Sequence, residues 1–216
     1  MRASQERLEP AEDALGYVLV GGASSRFGRD KAFVELGGQP MYARMAALTV
    51  AAGVSRAYLI GDPQRFSNVG ISAIPDLWPG EGPLGGIATA LWYNESVDLT
   101  GYNLIVGCDM PFLTSEWVSY LLKKARKSRA QITLARSANG LEPLCSVWHT
   151  DIAFEVKKLF RDGTRKVTEA LKPFNLEILD EQEWKQFDSD GRLFWNMNTP
   201  ADFEEARRIL EGSKRA

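Results

Sequence analysis

The run Leu15-Gly16-Tyr17-Val18-Leu19-Val20 constrains the fold of this chain more than any other segment. It is short, apolar and rich in β-favouring residues, and it ends on Gly21 and Gly22. That pattern predicts a strand buried on both faces, as in a parallel sheet covered by helices. After a polar loop, Met41, Met45, Leu48 and Ala52 recur at the spacing of one helix face. Strands are predicted at about 57–60 and 71–74, and Pro83 opens a helix running to about Tyr93. Leu104-Ile105-Val106 reads as another buried strand. Thr114 can cap a helix whose Trp117, Val118, Leu121, Leu122 and Ala125 form one stripe. Strands near 132–135 and 144–148 follow. A last helix carries a capping signature: Thr199 at N-cap, Pro200 at N1 and Asp202 at N3.

Strands alternating with helices through the first 130 residues predict βαβ units and a mostly parallel sheet. Ligands in such sheets bind at the carboxyl ends of the strands. The later part alternates less regularly, which leaves room for strand reversal or an antiparallel edge. Nothing between Gly16 and Leu210 reads as a linker or a repeat. The expectation is one domain over 14–212, with a flexible tail at 1–13 and a short one at 213–216.

Composition narrows the function. A chain of 24.0 kDa should bury roughly 70% of its unfolded surface, enough for an ordinary core. With 26 Lys+Arg against 28 Asp+Glu, it has no overall footprint for nucleic acid or an anionic membrane. Any anionic ligand must therefore be gripped by a local basic site. Cys108 and Cys145 are 37 positions apart, which fits neither a zinc pair nor a disulfide framework. His149 is the only histidine, so a multi-histidine metal centre is excluded. No apolar run approaches the roughly 20 residues of a membrane helix, and Met1 to Asp13 lacks the apolar stretch of a signal peptide. A cytoplasmic enzyme or ligand-binding domain with reduced thiols is expected.

Three segments carry chemistry. The first, Gly21-Gly22-Ala23-Ser24-Ser25-Arg26-Phe27-Gly28-Arg29-Asp30-Lys31, leaves the first strand directly. Its small residues let backbone N–H groups approach phosphate oxygens, and Arg26, Arg29 and Lys31 can neutralise the charge. It is neither a P-loop nor a dinucleotide fingerprint, since no Gly-Lys-Ser/Thr follows and the glycine spacing differs. The bland alternative is a glycine turn with solvated cations. The second segment, Pro75 to Gly86, has seven Gly or Pro among twelve residues. Gly85 and Gly86 in a helix's first turn cost about 1 kcal/mol each relative to Ala, which suggests close approach by a ligand or a packed neighbour. The third, Val106-Gly107-Cys108-Asp109-Met110-Pro111, places an Asp at a strand end where it could hold Mg²⁺ alongside phosphate oxygens. Alone it could equally be a turn Asp, and Cys108 reads as a small buried hydrophobe. Together the three describe phosphate chemistry, which needs positioning and charge stabilisation rather than histidine.

These residues resemble a known family. Leu19-Val20-Gly21-Gly22-x-Ser24-x-Arg26-Phe27-Gly28-x-Asp30-Lys31 is similar to the signature loop of sugar-nucleotide-type nucleotidyltransferases, and more narrowly of molybdenum cofactor guanylyltransferases. Pro75-Asp76, Gly82-Pro83-Leu84-Gly85-Gly86, Cys108-Asp109-x-Pro111, Glu142-Pro143-Leu144 and Asn196-x-Asn198-Thr199-Pro200 continue the match in order. The resemblance implies a three-layer α/β/α, Rossmann-like nucleotide-binding domain that moves GMP from GTP to the phosphate of Mo-molybdopterin with Mg²⁺. It implies that Leu19, Val20, Gly21, Gly22 and Asp76 contact the nucleotide. It gives Arg26 and Lys31 the triphosphate, Asp109 the metal, and Asn198 the acceptor or metal side. Gly21-Gly22, where cytidylyltransferases usually carry Ala-Gly, favours guanine. Molybdenum cofactor insertion proteins or molybdoenzyme chaperones are the implied protein partners. The usual Asn near the second strand's end is replaced here by Gly61-Asp62-Pro63, so that contact is not carried over.

Two weaker signals remain. Arg161 to Lys166 holds three cations, so Arg165 could grip the acceptor's phosphate, or the segment could be a solvated turn between helices. Lys123, Lys124, Arg126, Lys127 and Arg129 read as a solvated face near a helix C-terminus. Three functions stay open: the guanylyltransferase, a related nucleotidyltransferase with another base or acceptor (cytidylyl, sugar-phosphate or phospholactate), and a non-catalytic nucleotide-binding adaptor.

Overall fold

The computed structural model describes residues 14–21, 30–96 and 101–213. The predicted tail at 1–13 and the signature-loop residues 22–29 lie outside them, among them Gly22, Arg26 and Arg29. The chain runs β1 (Ala14–Leu19), β2 (Glu35–Leu36), β3 (Gln39–Pro40), α1 (Met41–Ala51), β4 (Arg56–Gly61), β5 (Ala73–Pro75), α2 (Pro83–Ser96) and β6 (Tyr102–Gly107). It continues with α3 (Ser115–Ser128), β7 (Ile132–Ser137), β8 (Gly140–His149), α4 (Ala153–Arg161), α5 (Val167–Ala170), β9 (Leu176–Leu179), α6 (Glu181–Trp184) and α7 (Pro200–Ser213).

Seven strands form one sheet in the order β5-β4-β1-β6-β8-β7-β9, and β2 and β3 make a separate hairpin. All six residues of β1 are buried, as its unbroken apolar run predicts for a central strand between two parallel neighbours. Side-chain alternation splits β1 between two cores. Ala14 and Val18 join Met41, Met45, Trp117, Leu121 and Ala206, from α1, α3 and α7. Tyr17 and Leu19 join Leu84, Leu91, Val156, Phe160 and Ala170, from α2, α4 and α5. The result is the expected three-layer α/β/α arrangement.

The strand reversal expected in the later part falls at β8, inside the sheet rather than at an edge. β8 runs antiparallel to both β6 and β7, and β9 is again parallel to β7. The predicted strand at 71–74 is shifted, because Ile71 and Ser72 precede the paired residues Ala73 to Pro75. Both predicted caps form: Thr114 Oγ1 accepts from Trp117 N at 3.2 Å, and Thr199 Oγ1 from Asp202 N at 3.2 Å. The cationic face near the end of α3 is not wholly solvated, since Lys124 Nζ lies 2.7 Å from Glu183 and 3.9 Å from Glu177.

The start of β6 is bolted by buried polar groups. Asn94 Nδ2 donates to Asn103 Oδ1 at 2.8 Å, and Asn103 Nδ2 donates to the Trp148 carbonyl and Thr150 Oγ1, both at 3.1 Å. Asn103 is fully buried, so truncating it strands these partners in the core. Asn103→Ala is expected to lower unfolding stability by about 2 kcal/mol in urea titration, and a loss below about 0.5 kcal/mol would contradict this role for the network.

Candidate active site

Parallel strands deliver their carboxyl ends to one edge of the sheet, and the sequence places its three chemical segments there. Leu19 is in register with Ile60 of β4 and Gly107 of β6. A cleft of about 280 Å³ opens beyond these ends. Leu19, Val20 and Gly21 form its floor, Asp109 and Leu144 one side, and Asp76, Gly80, Gly82 and Gly86 the other. Asp30 and Lys31 complete it.

Lys31 reaches its position through a short, well-anchored turn. Asp30 Oδ1 accepts from Ala32 N at 3.1 Å and caps the 3₁₀ turn Lys31–Phe33. The other oxygen of Asp30 pairs with the Arg65 guanidinium, which comes from the turn after β4. Phe33 stacks on Phe66 at 5.0 Å and meets Tyr42 edge-on at 5.3 Å. From this base Lys31 Nζ donates to Asn198 Oδ1 at 3.0 Å and lies 3.8 Å from Asp109 Oδ2.

Asp109 follows β6. Its carboxyl is held above the usual carboxylate range, chiefly because burial disfavours the charged form, while the nearby Lys31 ammonium opposes the shift. Its backbone carbonyl accepts from Met197 N at 2.8 Å, which brings the segment before α7 against the strand end. Asn198 is then fixed from its other side, since its N–H and that of Thr199 both donate to Asp202 at 2.7 Å. Gly107 leaves the Asp109 carboxylate its room: a Cβ on it would stand 2.8 Å from Asp109 Oδ1.

Among the described residues no group of three or more His, Cys, Asp or Glu could hold a metal ion by itself. Asp109 offers one hard carboxylate, 23% exposed, beside an open cleft. That fits a divalent ion which draws its remaining ligands from water and substrate phosphates, the habit of Mg²⁺.

Asp76 Oδ1 accepts from Trp78 N at 3.0 Å and lies 3.2 Å from the Thr89 hydroxyl, which fixes the carboxylate so that its second oxygen faces Gly21. Gly85 and Gly86 answer the packing side of the question their sequence raises. A Cβ on Gly85 would stand 3.3 Å from Trp78, and one on Gly86 3.1 Å from Leu19. The Cys108 thiol is pushed up to about 12, first by burial and then by Asp109, so it is no nucleophile at neutral pH. His149 pairs in register with Tyr102, at the opposite end of β6 from the cleft.

The structure thus brings Leu19, Val20, Gly21, Lys31, Asp76 and Asp109 around one cleft, with Asn198 one hydrogen bond away on Lys31. Gly22 and Arg26 belong to the undescribed segment. Arg165 does not point its charge at Asn198; it is bonded to Glu81 at 2.8 Å. Sequence reading passed over Arg65 and Glu81, whose partners stand 35 and 84 positions away and leave no local signal.

Residues 16–176 match the family described as the MobA-like NTP transferase domain. The chain is 32% identical over 188 residues to a probable molybdenum cofactor guanylyltransferase of Deinococcus radiodurans, covering 87% of this chain and 91% of that protein. It is 31% identical over 207 residues to a protein of the same name from Pyrococcus furiosus, covering 91% and 98%. The crystal structure of molybdopterin-guanine dinucleotide biosynthesis protein A from Archaeoglobus fulgidus superposes with a TM-score of 0.78 at 25% identity, over 92% of this chain and 99% of that one. With three quarters of its length inside the domain match, and with these relatives, the chain belongs to the MobA-like NTP transferase family.

Proposed function

We propose that this chain transfers GMP from GTP to the phosphate of Mo-molybdopterin, forming the guanine dinucleotide and releasing pyrophosphate, with Mg²⁺ as the divalent ion. The observation that carries this reading is the approach of Asp109 and Asn198 to within 3.8 Å of the Lys31 ammonium, which lines the cleft with Asp109. The names of its relatives as molybdenum cofactor guanylyltransferases support the choice of base and acceptor.

In this mechanism an oxygen of the acceptor phosphate attacks the α-phosphorus of GTP in line. The new P–O bond forms as the bond to the β-phosphate oxygen breaks, and pyrophosphate leaves with that electron pair. A phosphate nucleophile is already ionised at neutral pH, so no general base is needed, which suits a chain with one distant histidine. Leu19, Val20 and Gly21 give the nucleotide a floor with close backbone approach, and Asp76 holds its free oxygen toward it. Lys31, with Arg26, offsets charge on the leaving pyrophosphate. Asn198, one hydrogen bond from Lys31, positions the acceptor. Asp109 would hold the Mg²⁺ ion, which would supply charge neutralisation at the phosphates.

The deciding experiment incubates the purified chain with Mo-molybdopterin, Mg²⁺ and GTP, CTP or ATP in turn. Guanine dinucleotide and pyrophosphate should appear with GTP alone; a CTP-specific product, or GTP binding without transfer, overturns the assignment. Lys31→Ala and Asp109→Asn should retain the circular-dichroism spectrum of the wild type yet lose about 10²–10³ in kcat, the scale of one charge-stabilising group. Turnover at the wild-type rate in either variant would refute the roles of Lys31 and Asp109.

Gly107→Ala tests the geometry more finely. The added methyl must push the Asp109 carboxylate aside, and a displacement of about 1 Å near the chemistry costs on the order of 10²-fold. The expected readout is a higher Mg²⁺ requirement together with a lower kcat, while unchanged Mg²⁺ titration curves would show that Asp109 does not hold the ion.

A further inference from the structure

The cleft wall between Asp76 and Gly86 has little to hold its outer tip. Gly80 and Gly82 line the cleft, and both adopt positive φ, 82° and 88°, which any side chain would strain. The backbone bonds at the tip are local: Glu81 N donates to the Trp78 carbonyl and Gly85 N to the Gly82 carbonyl, each at 3.2 Å. What reaches the tip from far along the chain is the turn between α4 and α5. Arg165 Nε donates to Glu81 Oε2 at 2.8 Å, and its Nη1 donates to the Phe160 carbonyl at 2.7 Å. The guanidinium lies 4.1 Å over the Phe160 ring, and that ring in turn packs 4.7 Å from Trp78. Gly85, without a Cβ, leaves room for this stack beside Trp78 and Phe160.

We infer that Arg165 and Glu81 form a clamp that positions the loop over 76–82, between β5 and α2, as the nucleotide wall of the cleft, so that Arg165 is a positioning residue for the nucleotide rather than a ligand of the acceptor phosphate. The argument is one of geometry. Arg165 commits the face of its guanidinium to Phe160 and both named nitrogens to Glu81 and the Phe160 carbonyl. Its carboxylate partner sits between Gly80 and Gly82, two glycines that line the cleft. Arginine suits the post because a planar fork can pair with a carboxylate edge-on while its face stacks on an aromatic ring; lysine cannot do both. The inference rests on the nucleotidyl-transfer reading only for what fills the cleft.

The test compares Glu81→Gln, Arg165→Met, Arg165→Lys and the double variant Glu81→Gln/Arg165→Met in the full chain. Two quantities are read: Kd for the nucleotide with Mg²⁺ in the absence of acceptor, and KM for nucleotide and acceptor separately in the transfer assay. GTP and CTP are both titrated, and the clamp is judged with whichever the wild type binds, so a wrong base assignment shows in the wild type and not in the variants. Each single variant is expected to raise the nucleotide Kd and KM about three- to tenfold, the scale of an exposed ion pair combined with a cation–π contact, and to leave the acceptor KM within twofold. The double variant should lose no more than Arg165→Met, because the two side chains act as one unit. Arg165→Lys should recover only part of the loss. A variant set that binds nucleotide like the wild type overturns the clamp. So does a rise in acceptor KM confined to Arg165→Met and absent from Glu81→Gln, which would return Arg165 to the acceptor.

Discussion

The register of three parallel strands governs everything at the functional edge. Leu19 stands level with Ile60 on one side and Gly107 on the other. The ladder then extends one step past the strands: Val20 N donates to the Ile60 carbonyl, Cys108 N to the Leu19 carbonyl, and Asp76 N to the Gly61 carbonyl. These bonds fix where each chain leaves the sheet, and the three departing segments are the signature loop, the Asp109 turn and the Asp76 loop. A shift of one residue in β1 would turn Val18 and Leu19 toward the opposite cores and break the Val20–Ile60 and Cys108–Leu19 bonds together. With both faces covered by separate apolar clusters, such a shift is heavily disfavoured.

Charge is organised on the same edge by scarcity rather than excess. The chain carries a net charge of −2, so a polyanionic substrate gains nothing from its overall field. Among the described residues, the cation aimed into the cleft is Lys31, flanked by a carboxylate and an amide oxygen. The low access of solvent there, with Lys31 and Asp109 side chains 17% and 23% exposed, makes each charge count for more than it would on the surface. The raised position of the Asp109 carboxyl expresses the same physics: burial penalises its charge, and a nearby cation only partly offsets the penalty.

What the sequence made legible is what local physics decides. The unbroken apolar run of β1, the stripe of α3 and the caps at Thr114 and Thr199 each depend on neighbours within four residues. The cleft residues Gly21, Lys31, Asp76 and Asp109 were legible because glycines and charges directly after buried strands have few other uses. The reversed strand β8 was harder. The two-residue turn Ala138-Asn139 joins it to β7, but nothing local says that the returning strand inserts next to β6 rather than at an edge. Illegible altogether were the pairs Asp30–Arg65 and Glu81–Arg165, since their long side chains are solvated in any local reading and find partners only once the helices are packed. Arg165 shows what cationic composition leaves out, because its guanidinium is paired with a carboxylate 84 residues earlier in the chain.

The end of the chain adds a separate element to this design. The domain match stops at residue 176, whereas Asn198 lies beyond it. It reaches the cleft because Met197 N bonds the Asp109 carbonyl and the cap of α7 fixes the turn that follows. The walls and floor of the cleft and the Asp109 carboxylate therefore come from one contiguous sheet edge, and Asn198 from a strap that meets it at Lys31. Strap and edge meet at Lys31, which touches both Asn198 and the neighbourhood of Asp109. A change in the strap can alter the Asn198–Lys31 contact without disturbing the strands, while a change in the strand ends disturbs both.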